Sequence, residues 1–214
     1  MIYAENVFLC IAVPLIIAIL FTRNSARRMT VSFLTGMLVC LLSAYIGGFL
    51  QLVSRYSSDN MSIFLSPIVE EVMKFMPVLF CIYIFEPTYD ELRLTAVGIG
   101  TGFATFENCC FILTSGAHNL GYVLIRGSAV GVMHVVTMVA IVAGLHLLKN
   151  YKVFSFSGVV GALALSVTFH SLYNLLVSKS GISSYIGYIL PMLFAFVLYL
   201  LNRLSKEFDE DQKA

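Results

Sequence analysis

The sequence predicts an all-α protein: a membrane-embedded bundle of about seven transmembrane helices. Of its 214 residues, 59% are hydrophobic and only 12% are charged, which is more apolar surface than a water-soluble domain of this length can bury. The apolar residues fall in long runs separated by short polar connectors. In lipid such runs must pair their backbone groups internally, which favours helices. No connector is long enough for a second domain, so residues 1–214 are predicted to form a single domain.

A helix needs about 20 mainly apolar residues to cross the hydrocarbon core of a bilayer. The sequence offers seven such stretches, near residues 3–22, 31–53, 63–85, 94–114, 121–148, 154–177 and 183–202. The first has no basic leader and its arginines follow it, the wrong order for a cleavable signal peptide. We therefore expect it to be a permanent span.

The remaining composition excludes several classes of protein. A net charge of +1 offers no basic face for nucleic acid. The five cysteines all lie within apolar runs, without the spacing of a disulfide framework or a zinc knuckle. We predict a multi-pass protein of the cell membrane.

Basic residues predict the orientation, because lysine and arginine accumulate on the cytoplasmic side. Nine of them fall at one side of the seven predicted spans: Arg23, Arg27, Arg28, Arg93, Lys149, Lys152, Arg203, Lys206 and Lys213. Only Arg55 and Lys179 fall at the other. The N-terminus is therefore predicted to be extracytoplasmic and the C-terminus cytoplasmic.

Ionisable and amide side chains within the spans are the candidates for function, because each charged group costs several kcal/mol in lipid and normally faces a protein interior or a water-filled cavity. We single out eight of them: Glu70, Glu71, Lys74, Glu107, Arg126, His134, His170 and Asn174. With a helical rise of about 1.5 Å per residue, Glu70, Glu107 and His170 share a level about 10 Å below the outer surface. This agreement predicts one buried polar site in the outer half of the membrane.

Helical spacing indicates which side chains share a face, since residues four apart lie one above the other. Glu70 with Lys74, Phe103 with Glu107, and His170 with Asn174 are spaced in this way. We also expect Pro67 to start or kink its helix, with Ser66 as the N-cap. The structural alternative is that Glu70 and Lys74 only neutralise each other within the bundle, and that the histidines only bond neighbouring helices.

Four sequence motifs resemble those of the PrsW family of bacterial membrane proteases. They are Glu70-Glu71-Val72-Met73-Lys74 (EExxK), Phe103-Ala104-Thr105-Phe106-Glu107-Asn108 (FxxFEN), the lone His134, and His170-Ser171-Leu172-Tyr173-Asn174 (HxxxN). The related CAAX proteases usually carry histidine where Glu107 stands, which favours PrsW. The resemblance implies an endopeptidase that cuts a single-pass membrane protein, such as an anti-sigma factor, near the extracytoplasmic end of its span.

Peptide hydrolysis needs a base to activate water, donors for the oxyanion and an acid for the leaving amine. We expect Glu70 to be the general base, Glu71 to support it, and Lys74 to adjust the acidity of both. His170 and Asn174 are expected to stabilise the oxyanion, while Glu107 and His134 orient the histidine or the water. Phe103, Asn108 and Arg126 complete the site as supporting residues.

A metal-dependent version of the site stays open, because Glu70, His134 and His170 are the right ligand types for catalytic zinc. We favour metal-free water activation, since the HExxH pattern is absent.

Three other functions also stay open. A proton- or ion-coupled transporter would use the same residue types, but few ionisable groups continue into the inner half. A CAAX-type prenyl-protein endopeptidase would work from the cytosol. A non-catalytic scaffold would have no need of so many costly residues.

Overall fold

The computed structural model describes residues 4–115, 119–148 and 155–211 of the chain. These residues form helices and no strand: α1 Ala4–Phe21, α2 Asn24–Ser54, the short α3 Ser58–Asn60, a π-helical segment Met61–Leu65, α4 Ser66–Phe85, α5 Tyr89–Ser115, α6 Leu120–Leu148, α7 Ser155–Val177 and α8 Ile182–Asp211. The predicted all-α architecture is confirmed.

Six of the described helices are long and apolar enough to cross a membrane: α1, α2, α5, α6, α7 and α8. The seventh long helix, α4, has 20 residues and would reach about 30 Å. It carries Glu70, Glu71 and Lys74, however, and so fails a test of apolarity alone. The chain is therefore a multi-pass membrane protein, and the predicted count of seven spans requires that α4 crosses with its charges covered by neighbouring helices.

The starts of α2 and α4 differ from the predicted spans. The spans were predicted from hydropathy, which does not show where helical hydrogen bonding begins. α2 begins at Asn24 rather than near residue 31, which leaves only Thr22 and Arg23 between α1 and α2. α4 has no side-chain N-cap: it continues directly from the π-helical segment, and Ser66 is its first residue. The predicted capping role of Ser66 was therefore wrong.

Glycines set how closely the central helices approach. A Cβ atom added to Gly102 of α5 would overlap the Phe33 carbonyl of α2, and one added to Gly36 of α2 would overlap the Ile99 carbonyl of α5. On the α6 side, a Cβ on Gly100 would lie 2.8 Å from the His134 carbonyl oxygen. Small residues allow such backbone contact between membrane helices, and here they bring α5 within side-chain reach of His134.

The polar residues collect at one end of the bundle. Glu70 lies about 6 Å from the start of α4, while Glu107 and His170 lie about 12 Å and 10 Å from the ends of α5 and α7, by helical rise. At the opposite end, Arg28 of α2 pairs with Glu91 of α5 at 2.5 Å. The two ends therefore differ in character, one rich in arginine and the other holding the candidate site.

Candidate active site

The structure brings the predicted site residues together around one cavity of about 290 Å³, bounded by the π-helical segment and by α4 to α8. Glu70, Glu107, Arg126, His170 and Asn174 line this cavity. Behind that wall lie Glu71, Lys74, Phe103 and His134, all fully or almost fully buried. Asn108 contacts Arg126 at the side. Helices that are far apart in sequence thus supply one polar cluster.

Lys74 forms a buried ion pair with Glu71 rather than with Glu70, the residue with which the sequence placed it on one helix face. The Lys74 Nζ atom lies 2.7 Å from Glu71 Oε1, and both side chains are completely buried. The ammonium also donates to His134 Nδ1 at 2.9 Å and to the Thr137 hydroxyl at 3.4 Å. Spacings of three and four both keep side chains on one helix face. The position of α6 decides between them, because His134 and Thr137 draw Lys74 away from the cavity.

Hydrogen bonding fixes the tautomer of His134. A lysine ammonium has only donors, so His134 Nδ1 must accept and its lone pair points at Lys74. The proton is then on Nε2, which donates to Glu107 Oε2 at 2.6 Å. His134 is fully buried and therefore links Lys74 to Glu107 without reaching the cavity itself.

His170 has the complementary arrangement. Its Nδ1 donates to Glu71 Oε1 at 2.8 Å, so the lone pair of the neutral ring is on Nε2. That atom faces Glu70, with 3.8 Å between Nε2 and Glu70 Oε2. A single oxygen of Glu71 therefore holds both Lys74 and the ring that faces the cavity. Glu71 therefore contacts His170 and does not line the cavity itself.

The three glutamates differ in access to the cavity. The Glu70 side chain is 21% exposed and that of Glu107 is 32% exposed, whereas Glu71 is completely buried. Only Glu70 and Glu107 can therefore meet a water molecule or a substrate in the cavity. Of the two, Glu107 is already held by His134 and Arg126, which leaves Glu70 with the fewer contacts.

Arg126 of α6 closes one side of the cavity. Its guanidinium donates to Asn108 Oδ1 at 2.6 Å and to Glu107 Oε1 at 3.4 Å, and it lies over the Phe111 ring with 3.5 Å between Cζ and the ring centroid. Asn108 in turn donates to the Gly127 carbonyl at 3.3 Å. These contacts fix the α5–α6 junction and aim a permanent positive charge at the cavity.

Asn174 donates a hydrogen bond to a backbone carbonyl that the π-helical segment leaves without a helical partner. In the π-helical segment the Ser66 N–H bonds to the Met61 carbonyl, five residues back, so the Ser62 carbonyl loses its α-helical donor. Asn174 of α7 supplies the replacement, with 2.9 Å between Nδ2 and the Ser62 oxygen. Pro67 follows directly, and its lack of an N–H favours such a break in regular bonding.

Sequence reasoning missed several residues around the cluster. Thr137 follows His134 by three residues, so helical spacing could have placed both on one face. Tyr122, Tyr173 and Tyr188 also line the cavity, but aromatic residues are common throughout the chain and gave no signal. Ser62, whose carbonyl holds Asn174, could not be found without the π-helical geometry.

A metal site is present in outline among the described residues. Glu70, His134 and His170 each offer a ligand atom, and these atoms lie within 4.8 Å of one another. The ligand types suit zinc, and the Nδ1 bond of His170 to a carboxylate is the usual support of a metal-binding histidine. His134 is the exception, because its lone pair faces the Lys74 ammonium. The set thus fits a divalent ion in type and spacing, but requires rearrangement at His134.

Comparison with known proteins gives the family. Residues 24–201 match the family described as PrsW family intramembrane metalloprotease. The search of curated proteins found no match, and neither did the search of solved structures. The matched region covers most of the chain, including every residue of the cavity and of the cluster behind it. The protein therefore belongs to the PrsW family of intramembrane proteases and is a membrane-embedded peptidase.

Proposed function

We propose that the protein hydrolyses a peptide bond of a single-pass membrane protein with water activated by Glu70. The observation that carries this proposal is the pairing of Glu70 with His170 across the cavity, 3.8 Å apart, with Glu71 orienting the histidine from behind. A carboxylate with access to water beside a fixed imidazole lone pair is suited to general-base chemistry.

The proposed reaction needs only groups of this chain and one water molecule. The water oxygen bonds to the carbonyl carbon of the substrate while its proton passes to Glu70. The C–N bond then breaks and the proton moves from Glu70 to the departing amine, which yields a carboxylic acid and an amine. Neutral His170 presents an acceptor at Nε2, so it orients the water. We propose this role for His170 in place of the oxyanion-donor role that the sequence predicted.

The developing oxyanion needs a donor, and two side chains of the cavity can supply one. The Asn174 amide has two N–H groups, and one of them donates to the Ser62 carbonyl. Arg126 has five N–H groups, of which the contacts to Asn108 and Glu107 use only part. Donors held in advance at this position lower the barrier because no reorganisation is needed during reaction.

A metal-dependent site is the second candidate, favoured by the family description and by the ligand spacing of Glu70, His134 and His170. These three side chains would hold the ion, which would polarise the substrate carbonyl and acidify water when bound. The Lys74 ammonium argues for the metal-free form, because it occupies the His134 lone pair and places a positive charge next to the ion.

We further propose that the site opens to the extracytoplasmic side. The candidate site lies at the end of the bundle opposite the Arg28–Glu91 pair, and arginine-rich ends are normally cytoplasmic. A substrate such as an anti-sigma factor would then be cut near the outer end of its span. Its helix must unwind there, because helical peptide groups are shielded by their own hydrogen bonds.

The test is co-expression with candidate single-pass substrates, followed by mass spectrometry of the products. Glu70→Gln should abolish cleavage, because the amide keeps the shape and cannot take a proton. Glu91→Gln is the matched control at the opposite end and should cleave normally. Full activity of Glu70→Gln would reject the base assignment, and cleavage on the cytoplasmic side would reject the orientation. Ion flux in proteoliposomes without any proteolysis would favour the transporter.

A further inference from the structure

A second cavity lies behind the two accessible glutamates. It has a volume of about 140 Å³ and is lined by residues of α1, α2, α4 and α5. We call it the Ser43 cavity, after the residue of α2 that lines it together with Cys40, Phe106, Cys110, Glu70 and Glu107. The same two glutamates therefore form walls of both this cavity and the cavity of the candidate active site.

The hydroxyl of Ser43 is the unusual feature of this cavity. Ser43 is only 4% exposed, and its Oγ atom is buried without a hydrogen-bond partner among the described residues. Elsewhere on α2, Thr30 and Thr35 donate their hydroxyls to carbonyls one turn back, each at 2.9 Å. A buried hydroxyl left unpaired costs about 1–3 kcal/mol. The conformation of Ser43 therefore calls for a partner inside the cavity.

Size and polarity identify that partner as water. A water molecule takes up about 30 Å³ in the liquid, and an apolar cavity of about 150 Å³ stays dry because it offers no polar partners. The Ser43 cavity has a similar volume, but it offers a hydroxyl on one side and two carboxylates on the other. These groups give a bound water the two to four partners that it needs.

We propose that the Ser43 cavity binds water and supplies the molecules consumed at Glu70. This inference rests on the proposed hydrolysis, in which every cleaved bond uses one water within a region surrounded by lipid. The lining also includes Ala4, the first residue of α1, so the cavity extends to the N-terminal end of that helix. Ser43 would be a positioning residue, because it holds the water and does not touch the substrate.

The test is radiolytic footprinting of the purified protein, which labels side chains next to bound water. Phe106 lines the cavity and Phe75 lies in a separate apolar cluster, yet both are almost fully buried. We expect faster labelling of Phe106 than of Phe75 in the wild type, and loss of this difference in Ser43→Val, which removes the hydroxyl and fills space. Thr35→Val is the matched control on α2 and should keep the difference.

Cleavage kinetics give the second measurement. Ser43→Ala should lower kcat by about 3- to 10-fold, the effect of one hydrogen bond, with KM unchanged. Equal labelling of Phe106 and Phe75 in the wild type would overturn the proposal, as would unchanged kcat in both Ser43 variants. Because footprinting needs no activity, labelled Phe106 in a protein without peptidase activity would support the water site and reject the proposed function alone.

Discussion

The buried pair of Lys74 and Glu71 predicts a strong and testable energetic coupling. At 2.7 Å between Nζ and Oε1, two unit charges attract by about 6 kcal/mol at an effective dielectric constant of about 20. Desolvation offsets much of this attraction. Removal of one partner leaves the other charge buried alone, which costs about 3–5 kcal/mol. We therefore expect Lys74→Met and Glu71→Gln each to destabilise the fold by about that amount.

The double variant separates the pair from its surroundings. With both charges removed, no buried charge is left over, and such replacements are often nearly neutral. The contact from Lys74 to His134 is lost, at about 1 kcal/mol, while the amide oxygen that replaces the Glu71 carboxylate can still accept from His170. The double variant should therefore be more stable than either single variant, although it should not cleave, because the charges that order the two histidines are gone.

The free energy of unfolding is measured for the wild type, the two single variants and the double variant. The method is reversible unfolding in mixed micelles, followed by circular dichroism. Glu91→Gln serves as the control, since it removes a carboxylate from a solvent-accessible pair, and such pairs contribute little to stability. Additive effects of the two single substitutions, within about 0.5 kcal/mol, would mean that the side chains do not interact. That result would refute the assignment of Lys74 to Glu71.

Three further predictions concern the ligands, the packing and the backbone. Dialysis against a strong chelator should leave cleavage unchanged. If activity is lost and zinc restores it, the metal-dependent candidate is favoured instead. Cobalt(II) bound in place of zinc should then give the visible absorption of a tetrahedral site, and this absorption should disappear in His170→Ala. Gly102→Ala should cost about 1–3 kcal/mol by overpacking, whereas Gly131→Ala, with open space around its Cβ, should not lower stability in the same unfolding assay. Asn174→Asp keeps the shape but loses both amide N–H groups, the one that donates to the Ser62 carbonyl and the one proposed for the oxyanion, so kcat/KM should fall at least about tenfold. Normal turnover would show that both donors are dispensable.

Helical rise is nearly constant, so residues on different spans could be predicted to lie at a common level. Counting residues from the span ends gave a common depth for Glu70, Glu107 and His170, and the structure brings all three to one cavity. The long helices were also predictable, since apolar runs of this length have few alternatives in lipid. The glycines of α5 were compatible with close packing but did not reveal which helix each one would meet.

The sequence did not show which of two residues on the same helix face would pair with Lys74. Lys74 can reach either Glu70 or Glu71 by helical spacing, and only the position of His134 on α6 selects Glu71. The tautomer of His134 follows from that choice. The π-helical segment is likewise a tertiary feature, because the Ser62 carbonyl becomes available only where Asn174 of α7 can meet it.

The use of Glu71 argues that this cluster is arranged for positioning rather than for stability. Its Oε1 atom accepts from both Lys74 and His170, while Oε2 is buried without a partner among the described residues. A pair that served only to neutralise charge would spread its contacts over both oxygens, because an unpaired buried acceptor is costly. Concentration of both contacts on one atom ties the His170 ring to Lys74, and through Lys74 to His134 and Glu107. The orientation of the imidazole that faces Glu70 is therefore set by three other helices at once.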